Sequence, residues 1–187
     1  FVGVSNSHSQ REFIMEQAQQ RGLSNLEIRT ADMNFFEPVE PFDRIVSIEM
    51  FEHMKNYAAL LEKISGWLQP GGKLFVHIFT HRRYAYHYEA TPDDWMARYF
   101  FTGGTMPSDD LLHHFQDHLR LDGHWRVNGK HYSKTLEAWL ERHDRAASQI
   151  RAIFRHTYGA QAETWFHRWR LFYLACSELF GYRGGTE

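Results

Sequence analysis

The sequence predicts an α/β fold in which a parallel sheet carries a mostly helical cap. Two observations support this class. Short apolar runs alternate with amphipathic segments over residues 1–79, which is the order of parallel strands joined by crossover helices. From residue 80 to 187 apolar residues recur mainly at helical spacing. We therefore predict a sheet-containing domain over 1–79 and a helical cap over 80–187.

The first predicted elements are a strand and a helix. Phe1–Val4 is a short apolar run that indicates a strand. Ser9 and Glu12 have the spacing of a capping box, which predicts a helix over about Gln10–Arg21. Gly22 follows that helix, and a glycine at this place commonly ends one.

Three further strands and a second helix complete the predicted sheet. Leu26–Thr30 and Phe42–Ile48 are apolar enough, over strand-like lengths, to be strands. Asn56 can cap a helix that runs to about Leu68. The "QPGG" segment then predicts a turn into a last strand over Lys73–Phe79.

The pattern changes after residue 79. Residues 80–108 form a long, aromatic, loop-like stretch that we interpret as an insertion carrying specificity. Pro107 and Ser108 then predict a helix over about Ser108–Asp117. Helical spacing over Thr135–Tyr158 and Ala162–Phe180 predicts two longer helices.

Composition excludes several classes of function. Lys and Arg total 21 against 23 Asp and Glu, a formal charge of -2, and no basic stripe suggests nucleic acid as a partner. No segment is long and apolar enough to predict a signal peptide or a membrane span, and the single Cys176 cannot form an internal disulfide. A cytoplasmic location fits these features best. Aromatic residues make up 16% of the chain, which suits either a pocket for a flat or cationic ligand or an aromatic helical core.

Polar residues follow the predicted strands, where ligands bind in open parallel sheets. Ser5, Asn6 and Ser7 follow the first strand, and Asp32 follows the second. Each also has a purely structural interpretation, because Ser7 and Ser9 can simply cap a helix and Asp32 can be an exposed loop residue.

The third and fourth strands bring carboxylates and imidazoles to the same edge. Glu49, Glu52 and His53 follow the third strand, and His77 lies within the fourth. If the turn after Ile48 is helical, Glu49 and His53 share a face, where the carboxylate can orient the imidazole as a base. A solvated helix start and a satisfied core histidine are the structural alternatives.

The sequence gives little support for a metal site. His114 and His118 have helical spacing and Asp117 is nearby, but no cysteine or second motif completes a ligand set. We therefore predict no metal site and interpret these residues as a solvated helix face.

Five segments together resemble the coclaurine N-methyltransferase-like branch of the cyclopropane fatty acid synthase, or mycolic acid cyclopropane synthase, family of S-adenosylmethionine-dependent methyltransferases. They are "SIEMFEHMKNY", "LFVHIF", "RYFFTGGTMPS", "HWRVNGKHY" and "ELFGY", and the resemblance extends from "GVSNSHSQ" to "ELFGY". It implies a Rossmann-like class I methyltransferase core with a helical substrate cap, and S-adenosyl-L-methionine as the cofactor.

The resemblance also implies roles for particular residues. The cofactor would meet six of them, from the turn after the first strand and the ends of the next two: Ser5, Asn6, Gln10, Asp32, Met33 and Ile48. Glu49 and His53 resemble the catalytic pair of the N-methyltransferases. Glu52, His77 and Tyr132 match positions that hold a bicarbonate-like base in the cyclopropane synthases, and Trp169 and Phe172 resemble an aromatic wall of the amine pocket.

Glu49 discriminates between the two branches of the family. The lipid-modifying enzymes usually have a small residue here, whereas a carboxylate suits an amine that is attracted as a cation and then deprotonated. We therefore expect N-methylation of a small-molecule amine by direct displacement, with His53 removing the proton aided by Glu49 and with Glu52 nearby. The alternatives are methylenation of a lipid alkene, with bicarbonate as the base, and a non-catalytic binding module.

Two features of the family pattern are absent from the sequence. A glycine-rich loop of G-x-G-x-G type is expected after a strand preceding Phe1, and a final strand is expected after "ELFGY". We therefore expect a core without its first and last strands, as in a fragment of a longer product, and weak cofactor binding or none. A homodimer is an arrangement that the sequence leaves open.

Overall fold

The structure, a computed structural model, describes all residues from 1 to 187 and contains two compact units. The first unit comprises residues 1–45 and 66–73, and the second comprises residues 46–65 and 74–187. The domain boundary that the sequence suggests at residue 79 stays a prediction. No helix is both long enough and apolar enough to cross a membrane.

The first unit is built on a parallel pair of strands joined by a helix. β1 (Val2–Ser5) lies beside β2 (Glu27–Thr30), with Ser5 opposite Thr30. α1 (His8–Gln20) connects the two strands, as a parallel pairing requires a crossover. Because the strands are in register at Ser5 and Thr30, their carboxyl ends lie at the same edge.

The start of α1 differs from the sequence prediction. Ser7, with φ of -107° and ψ of 117°, has the extended backbone of a capping residue, and its Oγ accepts a hydrogen bond from the Gln10 backbone N–H at 3.3 Å. The capping box predicted for Ser9 and Glu12 is therefore wrong, because Ser9 already lies in the first helical turn. Gly22, with φ of +65°, follows the end of the helix as predicted.

A second pair of strands and a helix lead to the candidate site. β3 (Phe42–Ile48) pairs with β4 (Leu68–His77), and α2 (Tyr57–Gly66) lies between them in the chain. Asn56 caps α2 as predicted, since its Oδ1 accepts a hydrogen bond from Ala59 N–H at 3.1 Å.

The last strand begins earlier than predicted, because β4 already includes the "QPGG" segment. Gly71 takes a φ of +77°, and Gly72 approaches the carbonyl of Asp43 so closely that a Cβ would lie 3.2 Å from that oxygen. The two glycines therefore let the strand bend without ending it.

The second unit contains most of the helices. Its three longest are α4 (Lys130–Arg145), α5 (Ala147–Tyr158) and α6 (Ala162–Gly181). The single helix predicted over Thr135–Tyr158 is two helices, because Ala146 has φ of -95° and ψ of 19°.

The insertion before these helices contains short elements only. β5 (Tyr86–His87) pairs antiparallel with β6 (Thr105–Met106), and α3 (Trp95–Tyr99) lies between them in the chain. The helix predicted over Ser108–Asp117 is wrong, and only a 3-10 turn over Leu111–His114 forms within it.

The backbone around Ser108 explains this error. His81 N–H donates to the carbonyl of Pro107 at 2.8 Å, and its carbonyl accepts from Asp109 N–H at 2.9 Å. Ser108 Oγ also donates to the Asp110 carboxylate at 2.7 Å. The chain is thus held in an extended bridge with His81 where a helix would otherwise begin.

The core of the second unit anchors the turn that follows β3. Phe51 and Ile64 are completely buried, and Tyr57 donates a hydrogen bond from its hydroxyl to the Phe51 carbonyl at 2.9 Å. Glu52 directly follows Phe51 in the 3-10 turn Phe51–His53, so this core fixes its position.

Candidate active site

Glu49 joins two residues that are distant in the sequence. Its Oε1 accepts a hydrogen bond from the Tyr132 hydroxyl at 2.8 Å and lies 2.9 Å from His77 Nδ1. Because an ionised carboxylate can only accept, the hydrogen of the second contact lies on Nδ1. The Glu49 backbone N–H also donates to the His77 carbonyl at 3.0 Å. One carboxylate therefore fixes both an imidazole and a phenol.

The expected pairing of Glu49 with His53 on one helical face is wrong. Glu49 has a left-handed backbone with φ of +50°, and the short 3-10 turn begins only at Phe51. The hydrogen bonds of the Glu49 carboxylate run to His77 and Tyr132 instead.

Glu52 is the most unusual ionisable group near this cluster. The residue is only 2% exposed, and its Oε2 has no hydrogen-bond partner. Burial, with a smaller contribution from the charge of Glu49, raises the pKa of Glu52 to about 7. Its other oxygen, Oε1, lies 3.8 Å from Nε2 of His53, whose side chain is 58% exposed. A buried acid that titrates near neutrality thus lies beside an imidazole that reaches solvent.

Aromatic rings continue from His53 towards the predicted pocket wall. The His53 ring stacks on Phe101 with centroids 6.4 Å apart, and Phe101 stacks on Phe172 at 6.4 Å. Phe172 in turn stacks on Phe100 at 4.4 Å and meets Trp169 edge-on at 5.7 Å. The structure therefore places Trp169 and Phe172 in the same aromatic cluster as His53.

A second set of aromatic contacts holds the ring of Tyr132 in place. Phe180 of α6 stacks on Tyr132 with centroids 4.7 Å apart, and Phe79 meets Phe180 edge-on at 6.3 Å. Burial, followed by the hydrogen bond to Glu49, raises the pKa of Tyr132 above its usual range. Tyr132 therefore remains a protonated donor at neutral pH.

The predicted cofactor residues of the first unit lie at the edge where β1 and β2 end. Ser5 Oγ donates to the Gln10 side-chain oxygen at 2.7 Å, and Ala31 N–H donates to the Ser5 carbonyl at 3.0 Å. Asn6 follows directly and is exposed. Asp32 is also exposed, and its Oδ1 accepts a hydrogen bond from the Asn34 backbone at 2.8 Å.

This edge is chemically suited to a nucleoside cofactor. It presents a hydroxyl, two amides and a carboxylate, which are groups that hydrogen-bond to ribose hydroxyls and to amino groups. Thr30, at the end of β2, has a buried hydroxyl without a hydrogen-bond partner. Met33 is half-buried beside Asp32, while Ile48 belongs to the second unit and is 62% exposed.

Sequence reasoning missed the phenylalanines that connect the site. Phe100 and Phe101 lie in the segment "RYFFTGGTMPS", which carries the family resemblance but was not assigned a role in the site. Two adjacent phenylalanines in a loop-like segment were the available signal, because large aromatic side chains usually pack against other side chains.

Comparison with known proteins gives consistent results. Residues 1–184 match the family model described as mycolic acid cyclopropane synthetase. The (S)-coclaurine N-methyltransferase of Thalictrum flavum subsp. glaucum is 43% identical over 192 residues, covering 100% of this chain and 53% of that protein. Cyclopropane-fatty-acyl-phospholipid synthase from Escherichia coli (strain K12) is 30% identical over 75% of this chain and 35% of its own length.

A solved structure gives the same result for the fold. Coclaurine N-methyltransferase bound to N-methylheliamine and SAH superposes with a TM-score of 0.93 at 42% identity, covering 100% of this chain and 55% of that one. The predicted α/β, class I methyltransferase fold is therefore confirmed. The chain spans about half the length of the relatives it matches. It belongs to the mycolic acid cyclopropane synthetase family.

Proposed function

We propose that the protein is an S-adenosylmethionine-dependent methyltransferase that methylates the nitrogen of a small-molecule amine. The observation that carries this proposal is the buried Glu52, with a pKa of about 7, beside His53 and the fixed carboxylate of Glu49. The identity of 43% to an (S)-coclaurine N-methyltransferase supports it. A carboxylate pair of this kind suits an amine, which must be attracted as a cation and react as a neutral nucleophile.

The cofactor would be held by the residues that the family resemblance indicates. S-adenosylmethionine supplies an electrophilic methyl group on a sulfonium when it is bound. Ser5, Asn6 and Gln10 would bind its ribose and methionine part, and Asp32 and Met33 its adenine. Ile48, at the end of β3, is the sixth residue that the resemblance assigns to the cofactor.

The acid and the imidazole would handle the proton of the amine. Glu52 takes that proton because its pKa of about 7 allows it to be ionised before the reaction and protonated after it. His53, 3.8 Å away and exposed, passes the proton to solvent. Glu52 thus takes the place of His53 as the group that removes the proton, and Glu49, whose carboxylate is held by His77 and Tyr132, does not aid His53 as first expected.

Glu49 and the aromatic residues would hold the amine. The Glu49 carboxylate supplies a fixed negative charge that attracts an ammonium ion. The faces of Trp169 and Phe172 stabilise a cation by their ring electrons and bury the carbon skeleton around it. Much of the rate then comes from holding the nitrogen in line with the transferred methyl group.

A chimera tests the proposal. In the chimera, this chain replaces the matching half of the Thalictrum flavum enzyme. The chimera is incubated with methyl-labelled cofactor, together with either a cyclic secondary amine or unsaturated phospholipid vesicles. We expect label in the amine. Label only in the lipid would contradict the proposal and support the second candidate.

The second candidate is methylenation of a lipid alkene, with bicarbonate held by Glu52, His77 and Tyr132. The 30% identity to the Escherichia coli lipid enzyme favours it. The hydrogen bonds from Tyr132 and His77 to Glu49 oppose it, because a carboxylate of the chain already occupies both donors.

A non-catalytic module is the remaining alternative. Calorimetric titration with S-adenosylmethionine distinguishes a non-catalytic module from an enzyme. The chain and the chimera are titrated in the same way. We expect weak binding or none to the chain and clear binding to the chimera. A chimera that folds but binds no cofactor would favour the non-catalytic module.

A further inference from the structure

Two exposed histidines from neighbouring segments of the second unit lie against each other. His113 belongs to the 3-10 turn Leu111–His114, and His124 lies in residues 115–128, which form no helix or strand. Nε2 of His113 and Nδ1 of His124 are 3.3 Å apart, and the centres of the two rings are 5.1 Å apart. Neither residue belongs to the candidate active site, so the proposed methyl transfer gives no reason for the pair.

These two distances match those of two imidazoles that bind one metal ion. With Zn–N bonds of about 2.0–2.1 Å and a tetrahedral angle, two ligating nitrogens lie roughly 3.3 Å apart and their ring centres roughly 5.2 Å apart. Two imidazoles joined in line by an N–H···N bond of the observed length would have ring centres roughly 5.6 Å apart. The observed 5.1 Å therefore fits two rings inclined around one ion better than two rings in line.

A carboxylate orients the second histidine of the pair. The other ring nitrogen of His124, Nε2, lies 3.2 Å from Oδ1 of Asp109, whose side chain is only 11% exposed. Arg126 fixes that carboxylate by donating from Nε and Nη2 to Oδ2 at 2.9 and 2.6 Å. Histidines that bind metals commonly donate their second N–H to a carboxylate in this way. Because Asp109 attracts the ring hydrogen to Nε2, Nδ1 of His124 keeps the lone pair that a metal ion needs.

We propose that Nε2 of His113 and Nδ1 of His124 bind a zinc ion, with Asp109 as the residue that orients His124. Imidazole nitrogens suit divalent ions of this class. No group of three or more histidine, cysteine, aspartate or glutamate side chains could hold a metal ion, so the site has two protein ligands and water completes the coordination. The pair is a different one from His114 and His118, the histidines considered from the sequence. The inference does not depend on the proposed function.

Calorimetric titration with zinc chloride tests the site without cofactor or amine. We expect saturable zinc binding to the chain, and His113→Ala and His124→Ala each lower the affinity at least tenfold. Asp109→Asn leaves both ligands in place but removes the orienting carboxylate, so it lowers the affinity about tenfold. His114→Ala is the matched control, since His114 is also exposed and lies 3.7 Å from a carboxylate, that of Asp110. We expect it to leave zinc affinity unchanged.

Nitrogen-15 NMR of the imidazole rings identifies the ligating atoms. We expect zinc to shift the signals of His113 Nε2 and His124 Nδ1. Magnesium chloride at the same concentration shifts neither signal, because Mg²⁺ prefers oxygen ligands. An ion bound to both histidines also joins the two ends of residues 113–124, so it slows trypsin cleavage after Arg120, which lies between them.

Several results would overturn the proposal. One is a folded chain that binds no zinc, and another is zinc binding that survives both His113→Ala and His124→Ala unchanged. A shift at Nε2 of His124 in place of Nδ1 would also contradict it, because Asp109 would then not orient that ring. Both histidines are exposed, so their alanine variants are expected to fold, and circular dichroism checks this. If Asp109→Asn does not fold, the two histidine variants and the NMR shifts decide the question.

Discussion

The two units present their polar residues in opposite ways. At the ends of β1 and β2 in the first unit, Asn6 and Asp32 are exposed, and the Asp32 carboxylate bonds to a backbone amide two residues away. In the second unit Glu52 is almost completely buried with one oxygen unpaired. Glu49 there bonds to a side chain 83 residues further along the chain.

This difference separates a binding surface from a proton-transfer site. Exposed groups that are satisfied locally can exchange water for a ligand at little cost, which suits binding. A buried carboxylate keeps a shifted pKa because water cannot stabilise its charge, which suits general acid–base chemistry. We therefore expect substitution of Glu52 in the second unit to change rates and pH dependence, and substitution of the exposed polar residues in the first unit to change ligand binding.

The largest expected effect comes from removing the ionisable group of Glu52. In the chimera, Glu52→Gln keeps the size of the side chain but cannot take a proton, so the methylation rate falls by about 10²–10⁴-fold. Glu62→Gln, on the exposed face of α2, is the matched control and leaves the rate unchanged. A Glu52→Gln chimera with full activity would show that Glu52 takes no part in proton transfer.

The pH dependence of the free energy of unfolding tests the raised pKa of Glu52 in a second way. The pKa of Glu52 is raised from 4.5 in an unfolded chain to about 7, so the unfolded state loses its proton first as the pH rises. The free energy of unfolding then falls by roughly 2 to 3 kcal/mol between pH 5 and pH 8, and it levels off once the pH exceeds about 7. Urea unfolding of the chain measures this fall, and Glu52→Gln removes it. Equal pH dependence in both proteins would show that Glu52 has an ordinary pKa.

Tyr132→Phe tests whether the distant contact to Glu49 stabilises the second unit. Loss of a hydrogen bond to a charged acceptor costs about 1.5 kcal/mol. Tyr182→Phe removes a hydroxyl from a residue that is 55% exposed and changes stability little. Urea unfolding at pH 7 compares the two variants. Equal effects would mean that the Tyr132 hydroxyl contributes nothing specific.

The smallest expected effect lies in the first unit, at the start of α1. Ser7→Ala removes the side-chain cap and costs about 1 kcal/mol in the free energy of unfolding. Ser9→Ala, two residues further on, costs only a few tenths. If Ser9→Ala were the more destabilising of the two, the predicted capping box would be right and the observed cap wrong.

Local signals in the sequence predicted the elements that depend on neighbouring residues. Gly22 after α1, Asn56 before α2 and the strand Phe42–Ile48 all follow from short-range preferences, and each is confirmed. The helix expected from Ser108 is absent because His81, far away in sequence, bonds to the backbone on either side of it. Helix propensity describes only local preference, so it takes no account of a distant residue that competes for the same backbone groups.

The candidate site was predictable in its residue types but not in its pairings. Glu49, Glu52, His53, His77 and Tyr132 were all identified from the sequence and its family resemblance. Spacing suggested Glu49 with His53, because residues four apart meet on a helix. The left-handed φ of Glu49 prevents that helix and turns its carboxylate to His77 and Tyr132.

The titration of Glu52 itself tests most directly the claim that a buried acid in the second unit is held ready to take a proton. Carbon-13 NMR of the chain, labelled at the glutamate carboxyl groups and assigned with Glu52→Gln, follows this residue from pH 3 to pH 9. We expect an inflection near pH 7, and a lower one in Glu49→Gln because the neighbouring charge is then absent. An inflection at the ordinary value of 4.5 in the unaltered chain would contradict the account.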